Sequence, residues 1–124
     1  MNPLDTAEIG STGVRVTRLG LGGAPLGGNL VLVTDEEAVQ IVRRALDLGI
    51  RYFDTAPLYG LGKSESFYGE VLPGLDRDTF ALSTKVGRVL DPADPTSPDD
   101  GLMPHELDAV FDFSRDGILR SLEE

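Results

Sequence analysis

Short apolar runs alternate with amphipathic helical segments along this chain, and that alternation restricts the fold more than any other feature. Arg18-Leu-Gly-Leu-Gly22-Gly23, Arg51 to Asp54 and Thr79 to Thr84 each read as a short strand. Between the first two, Thr34 and Glu37 have the spacing of a capping box. The helix they open carries Ala38, Ile41, Val42, Ala45 and Leu46 on one face and stops at Gly49. Ser64 reads as the cap of a second, short helix through Val71, with Pro73-Gly74 as its stop. Asp91 to Asp108 then reads as a long acidic, proline-bearing loop. Ser114 opens a last helix whose Ile118, Leu119 and Leu122 face one way. Ahead of all this, Ala7 to Thr17 alternates around Gly10-Ser-Thr-Gly13 and reads as a small β-hairpin.

Strands that alternate with helices in this order build right-handed βαβ units and a parallel sheet. A parallel sheet of this few strands cannot close on itself, and its edges stay unpaired. The sequence ends at Leu122-Glu-Glu124, inside an amphipathic pattern and without a glycine, asparagine or proline stop. The expectation is therefore the N-terminal portion of a larger α/β protein. The alternative is a complete small α/β domain with a frayed last helix.

Composition narrows the possible partners. With 21 acidic and 11 basic residues the formal charge is −10, and no basic stripe or aromatic-basic cluster stands out. Nucleic acid is an unsuitable partner for such a surface. There is no cysteine and one histidine, which argues against a disulfide framework and a zinc site. The start Met-Asn-Pro-Leu-Asp has neither the basic nor the apolar region of a secretory signal. No apolar run approaches the ~18 residues that span a bilayer. A cytoplasmic protein without membrane association is the expectation.

The chemistry gathers at the ends of two successive strands. Arg51-Tyr-Phe-Asp54-Thr-Ala-Pro-Leu-Tyr59-Gly60 places an acid at the strand end and a phenol in the loop after it. Ser83-Thr-Lys85 places an ammonium at the end of the next strand. Parallel neighbours lie roughly 5 Å apart, so Asp54, Tyr59 and Lys85 can meet above the sheet. A phenol beside an ammonium is a proton donor and acceptor suited to a carbonyl or an alcohol. Taken singly, each residue has a plainer role: an Asp caps a turn, a Lys extends a solvated head, a loop Tyr packs. Their joint placement in consecutive βα units favours the catalytic role.

These residues also carry a family resemblance. Leu19-Gly-Leu-Gly-Gly23, Asp35-Glu-Glu-Ala, Asp47 to Gly60, Ser64-Glu65 and Ser83-Thr-Lys-Val-Gly87 together resemble an aldo-keto reductase over nearly the whole chain. Phe111-Asp-Phe-Ser-Arg-Asp-Gly117, running into Arg120-Ser-Leu-Glu-Glu124, is similar to the branch of aldose, fucose and pyridoxal dehydrogenases. The resemblance implies a (β/α)8 TIM barrel closed at its bottom by the hairpin, of which this chain supplies about three βα units. It implies NADP or NAD as cofactor and a small carbonyl or sugar as substrate. By the same resemblance Tyr59 is the general acid or base, Lys85 stabilises its phenolate, and Asp54 holds Lys85 in place. Gly22 and Gly23, with Asp54, match positions at the nicotinamide end of the cofactor site. The family's fourth catalytic residue is a histidine after a fourth strand. The lone His105 lies in the acidic loop, does not match that motif, and is not given the role.

Three rival readings carry less weight. Gly62-Lys63-Ser64 hints at a phosphate loop, but the glycine required five residues earlier is Pro57. Gly20-x-Gly22 hints at a dinucleotide fingerprint, but its sixth position is Pro25. The third is an inactive reductase remnant or interaction module, in which exposed strand edges promote self-association.

Overall fold

The computed structural model describes residues 2–28, 32–94 and 106–123. Strands β1 (Thr6–Glu8) and β2 (Arg15–Thr17) pair antiparallel as the expected hairpin, with Ala7 opposite Val16. The Thr17 hydroxyl accepts the Arg51 N–H at 3.1 Å and donates to the Leu19 carbonyl at 2.7 Å. That bond ties the hairpin to the entry of the following sheet, at the end opposite Asp54.

The sheet is parallel, in the order β3 (Leu21–Gly22), β4 (Tyr52–Asp54), β5 (Ala81–Ser83). Its register sets Leu21, Phe53 and Leu82 in one row and Gly22, Asp54 and Ser83 in the next. Helix α1 (Asp35–Asp47) has the capping box read from sequence: the Thr34 hydroxyl accepts the Glu37 N–H, and the Glu37 carboxylate accepts the Thr34 N–H at 2.9 Å. The Thr34 backbone bond, then its hydroxyl, holds the Glu37 carboxyl below its ordinary value. The buried stripe is Ala38, Val39, Val42 and Ala45. Compared with the expected face, it is turned toward Val39, while Ile41 is exposed and lines an open groove beside β3.

Phe53 centres the core. Its ring is fully buried, 5.6 Å from Tyr68 and 6.5 Å from Phe80, in the tilted and edge-on arrangements aromatic pairs prefer. Val42, Phe67 and Leu72 close around it.

Helix α2 (Lys63–Val71) corrects one expectation. Its N-cap is Gly62 at φ 89°, not Ser64, and no side chain caps it. Gly60, Leu61 and Gly62 all have positive φ and turn the chain into the helix by backbone conformation alone. Ser64 is instead fully buried and accepts a hydrogen bond from the Thr55 hydroxyl at 2.9 Å.

Past β5 the structure departs further from the sequence reading. The ends of the expected 91–108 loop are strands: β6 (Arg88–Pro92) and β7 (Leu107–Phe111) pair antiparallel from Arg88–Phe111 to Pro92–Leu107. The middle of that loop, with His105, lies outside the described residues. Ser114 does cap α3 (Arg115–Glu123), its hydroxyl accepting the Gly117 N–H at 3.0 Å. The expected face of α3 is corrected: Ile118, Leu119 and Leu122 are exposed, and Gly117 and Ser121 are the buried positions. Small residues face inward because α3 packs closely against β6, and a Cβ at Gly117 would collide with the Asp112 side chain. There the Ser121 hydroxyl accepts the Gly87 N–H and Arg120 bonds Asp91 at 3.0 Å.

Candidate active site

Asp54 and Ser83 end neighbouring parallel strands opposite one another, so both side chains stand at the C-terminal edge of the sheet. The pairing continues one bond further, from the Thr55 N–H to the Ser83 carbonyl at 2.8 Å. Lys85, two residues past β5, reaches back across this edge. Its Nζ donates to Asp54 Oδ2 at 2.9 Å and to the Thr55 carbonyl at 2.8 Å.

Tyr59 arrives from the loop after β4. Successive turns build that loop: the Tyr59 N–H bonds the Ala56 carbonyl at 3.0 Å, and the Ser64 N–H bonds the Tyr59 carbonyl at 3.1 Å. Gly60 lies against the backbone of Gly27, where a Cβ on either residue would collide with the other's main chain. Two loops thus clamp the backbone beneath Tyr59. The Lys85 ammonium lies 4.9 Å from the centroid of the Tyr59 ring, within cation–π range. The sequence brought Asp54, Tyr59 and Lys85 together, and the structure does the same.

The electrostatics of Lys85 follow from these neighbours. Desolvation pulls its ammonium down, but hydrogen bonds to Asp54 and Tyr59 and the charges of both outweigh it, so its pKa is raised above the ordinary 10.5. The Lys85 and Asp54 side chains are 50% and 38% exposed, so water screens the pair and its contribution to stability is small. Its value is geometric: the carboxylate and the Thr55 carbonyl take two of the three ammonium protons.

Sequence reasoning did not give Ser83 a role. Its hydroxyl donates to Asp54 Oδ1 at 2.7 Å and lies 3.3 Å from the Tyr52 hydroxyl. Asp54 is therefore held through both oxygens, one by Ser83 and one by Lys85. The signal was present, since Ser83 and Lys85 are two apart and share a side of an extended chain. Arg88, Phe111 and Phe113 were also missed. With Tyr59, Lys85 and Gly87 they line a cavity of about 310 Å³. A larger groove of about 1040 Å³ runs along α1 and β3, past Leu21, Ile41 and Leu48, and touches none of the polar cluster.

The two glycines read as cofactor positions differ in surroundings. A Cβ at Gly22 would meet no atom within 4 Å, leaving open space beside Asp54. A Cβ at Gly23 would collide with the Ser64 hydroxyl and crowd the Tyr68 ring, so packing against α2 already requires that glycine. Among the described residues no group of His, Cys, Asp or Glu is placed to hold a metal, and no helix is long and apolar enough to cross a membrane.

Comparison with known proteins places these observations in a family. The model of the aldo/keto reductase family matches residues 18–124. Pyridoxal 4-dehydrogenase from Microbacterium luteolum is 41% identical over 94% of this chain and 37% of its own length. D-threo-aldose 1-dehydrogenase from a Pseudomonas species is 39% identical over 92% of this chain and 36% of its own length. The solved glycerol dehydrogenase of Gluconobacter oxydans superposes with a TM-score of 0.69 at 27% identity, covering 97% of this chain and 34% of that one. The chain thus spans little more than a third of these relatives. Solved members of the family are (β/α)8 barrels, and this chain corresponds to their N-terminal portion.

Proposed function

The chain belongs to the aldo/keto reductase family, and from that membership we propose that it is the N-terminal part of an oxidoreductase domain. This domain moves a hydride between NADP or NAD and an aldose or other aldehyde or alcohol. The observation that carries the reading is the Lys85 ammonium, bonded to Asp54 and Thr55 on one side and lying over the Tyr59 ring on the other.

Tyr59 donates a proton to the carbonyl oxygen in reduction and takes one from the alcohol in oxidation. Near its ordinary pKa of ~10 a tyrosine is a poor base at neutral pH, so the reaction needs a group that favours phenolate. Lys85 is that group, a positive charge beside the phenol. Asp54 keeps it charged and in place, and Ser83 keeps Asp54 aimed. When bound, the nicotinamide supplies or removes the hydride at the substrate carbon. Gly22 and Asp54 suit its ring end, since the missing side chain at Gly22 leaves open surface beside the carboxylate. Gly23 serves that end by letting the strand approach α2. The substrates of relatives named for pyridoxal and D-threo-aldose support small carbonyl compounds as the substrate class. The location proposed is the cytoplasm.

Residues 1–124 alone do not turn over in this reading, because the proton relay is only part of what the reaction needs. Exposed sheet edges and the groove beside β3 make the isolated chain self-associate. The test compares the chain alone with the chain continued by the C-terminal remainder of its pyridoxal 4-dehydrogenase relative. Each is assayed with an aldose or aldehyde and either nicotinamide, alongside size-exclusion chromatography. The expected result is turnover by the continued chain only, with oligomers of the isolated one. Turnover by a monomeric isolated chain, or none by a folded continued chain, would overturn the reading.

A further inference from the structure

The groove along α1 and β3, about 1040 Å³, is lined by Leu21, Leu32, Ile41 and Leu48 among others. It exceeds the ~300–1,000 Å³ typical of small-molecule sites, and it adjoins β3, an edge strand of the sheet. A convex counterpart stands on α3. Its Ile118, Leu119 and Leu122 are exposed, since Gly117 and Ser121 take the inward positions. With Arg115 these three fall at i, i+3, i+4 and i+7, the anchor spacing of a helix that lies in a groove.

The charges that flank these two surfaces match in sign and in spacing. On α1 the exposed Glu36 and Arg44 both border the groove, eight residues apart. On α3 the exposed Arg115 and Glu123 are also eight residues apart. Eight helical residues rise ~12 Å, so α3 laid parallel to α1 brings Arg115 to Glu36 and Glu123 to Arg44. The antiparallel seating sets like charges together at both ends. Arg115 bonds the neighbouring Asp116 at 3.3 Å, but the two side chains are 83% and 90% exposed, so that contact is easily exchanged. We propose that the groove is filled by α3 of a second copy of this chain, seated parallel to α1. The contact is heterologous: each copy offers its groove to one neighbour and its helix to another, and copies add in chains. Groove against groove would join two concave faces and fill neither. The proposal rests on the self-association of the isolated chain and names the surfaces that carry it.

Complementation between two lesions tests this arrangement. Size-exclusion chromatography with light scattering compares the 124-residue chain with Leu122→Glu on the helix and Ile41→Glu in the groove. Both side chains are exposed, 64% and 40%, and melting curves check that each variant folds. Each variant alone should stay monomeric where the parent associates. An equimolar mixture should recover dimers and nothing larger, because one intact groove then meets one intact helix. Charge reversal gives a second reading that leaves the apolar surfaces untouched. Arg115→Glu and Glu36→Arg should each weaken association about three- to tenfold, the scale of an exposed ion pair turned repulsive, and the double variant should restore it. A mixture that stays monomeric, association that Ile41→Glu abolishes and Leu122→Glu leaves intact, or a double charge variant no better than either single would each overturn the proposal. A monomeric parent would remove it together with the self-association, while the hydride-transfer reading, tested on the continued chain, would stand.

Discussion

Asp54 has two carboxylate oxygens, and each is bonded to a different partner. Oδ1 takes the Ser83 hydroxyl and Oδ2 takes the Lys85 ammonium, so the acid is fixed in rotation as well as position. Lys85→Met in the chain continued as above should slow turnover by at least about a hundredfold, within the range of general acid–base catalysis. It should also move the phenol-dependent limb of the pH–rate profile to higher pH, because removing a nearby positive charge disfavours phenolate. Asp54→Asn should give a weaker version of both effects, since it acts on Tyr59 only through Lys85. A Lys85→Met profile that stays in place would break the link between the two residues. Asp54, Tyr59 and Lys85 were legible in sequence because strand ends in consecutive βα units are close in any parallel sheet. Ser83 was in plain view, but only the register opposite Asp54 gives its hydroxyl a partner.

Tyr68 shows how α2 is held to the sheet. It is 1% exposed, packs on Phe53, and donates its hydroxyl to the Leu21 carbonyl at 3.2 Å. Burial, and secondarily the negative charge of Asp54, push its phenol far above the ordinary 10.0. A raised folded value keeps the full stability below pH 10 and loses it as pH climbs above, because the unfolded tyrosine ionises first. Thermal unfolding midpoints of the isolated chain should therefore fall with pH above about 10, and Tyr68→Phe should flatten that fall. The variant should also lose about 1 kcal/mol at neutral pH for the missing hydrogen bond. Lys85 weakens at alkaline pH by the same sign, so a slope that Tyr68→Phe leaves unchanged would assign the effect elsewhere. At this scale, local signals were legible and long-range ones were not. Thr34, Glu37 and Gly49 mark α1 through neighbours within a few residues. The β6–β7 ladder joins residues up to 23 apart, from Arg88 to Phe111, and Asp91 and Pro92 have low strand propensity. The α2 cap was misread because three positive-φ residues do what a serine side chain does elsewhere. Periodicity found an apolar stripe on α3 but could not say that Gly117 and Ser121 would be buried instead, against Asp112 and Gly87.

Among the described residues, exposed apolar surface lies both beside the polar cluster, at Phe111 and Phe113, and away from it, along α1 and β3. The cluster of Asp54, Tyr59 and Lys85 stands at the C-terminal edge of the sheet, while the groove of about 1040 Å³ opens along α1 and β3. Leu82, Leu119 and Leu122 add further exposed apolar surface. A parallel sheet with such flanks matches part of a (β/α)8 barrel, whose reacting groups collect at the C-terminal ends of its strands. The alternation of elements was enough for a parallel α/β sheet and the family resemblance added the barrel, whereas the cavity lining of Arg88, Phe111 and Phe113 needed the structure. The central claim is that Tyr59, backed by Lys85 and Asp54, moves the proton in a nicotinamide-dependent reaction. Its most direct test is Tyr59→Phe in the chain continued by its pyridoxal 4-dehydrogenase relative, with turnover and nicotinamide binding measured side by side. The account predicts a loss of at least about 10²-fold in turnover with cofactor affinity nearly unchanged, because the hydroxyl acts on the transition state and not in binding. A Phe variant that keeps half the parent rate would contradict it.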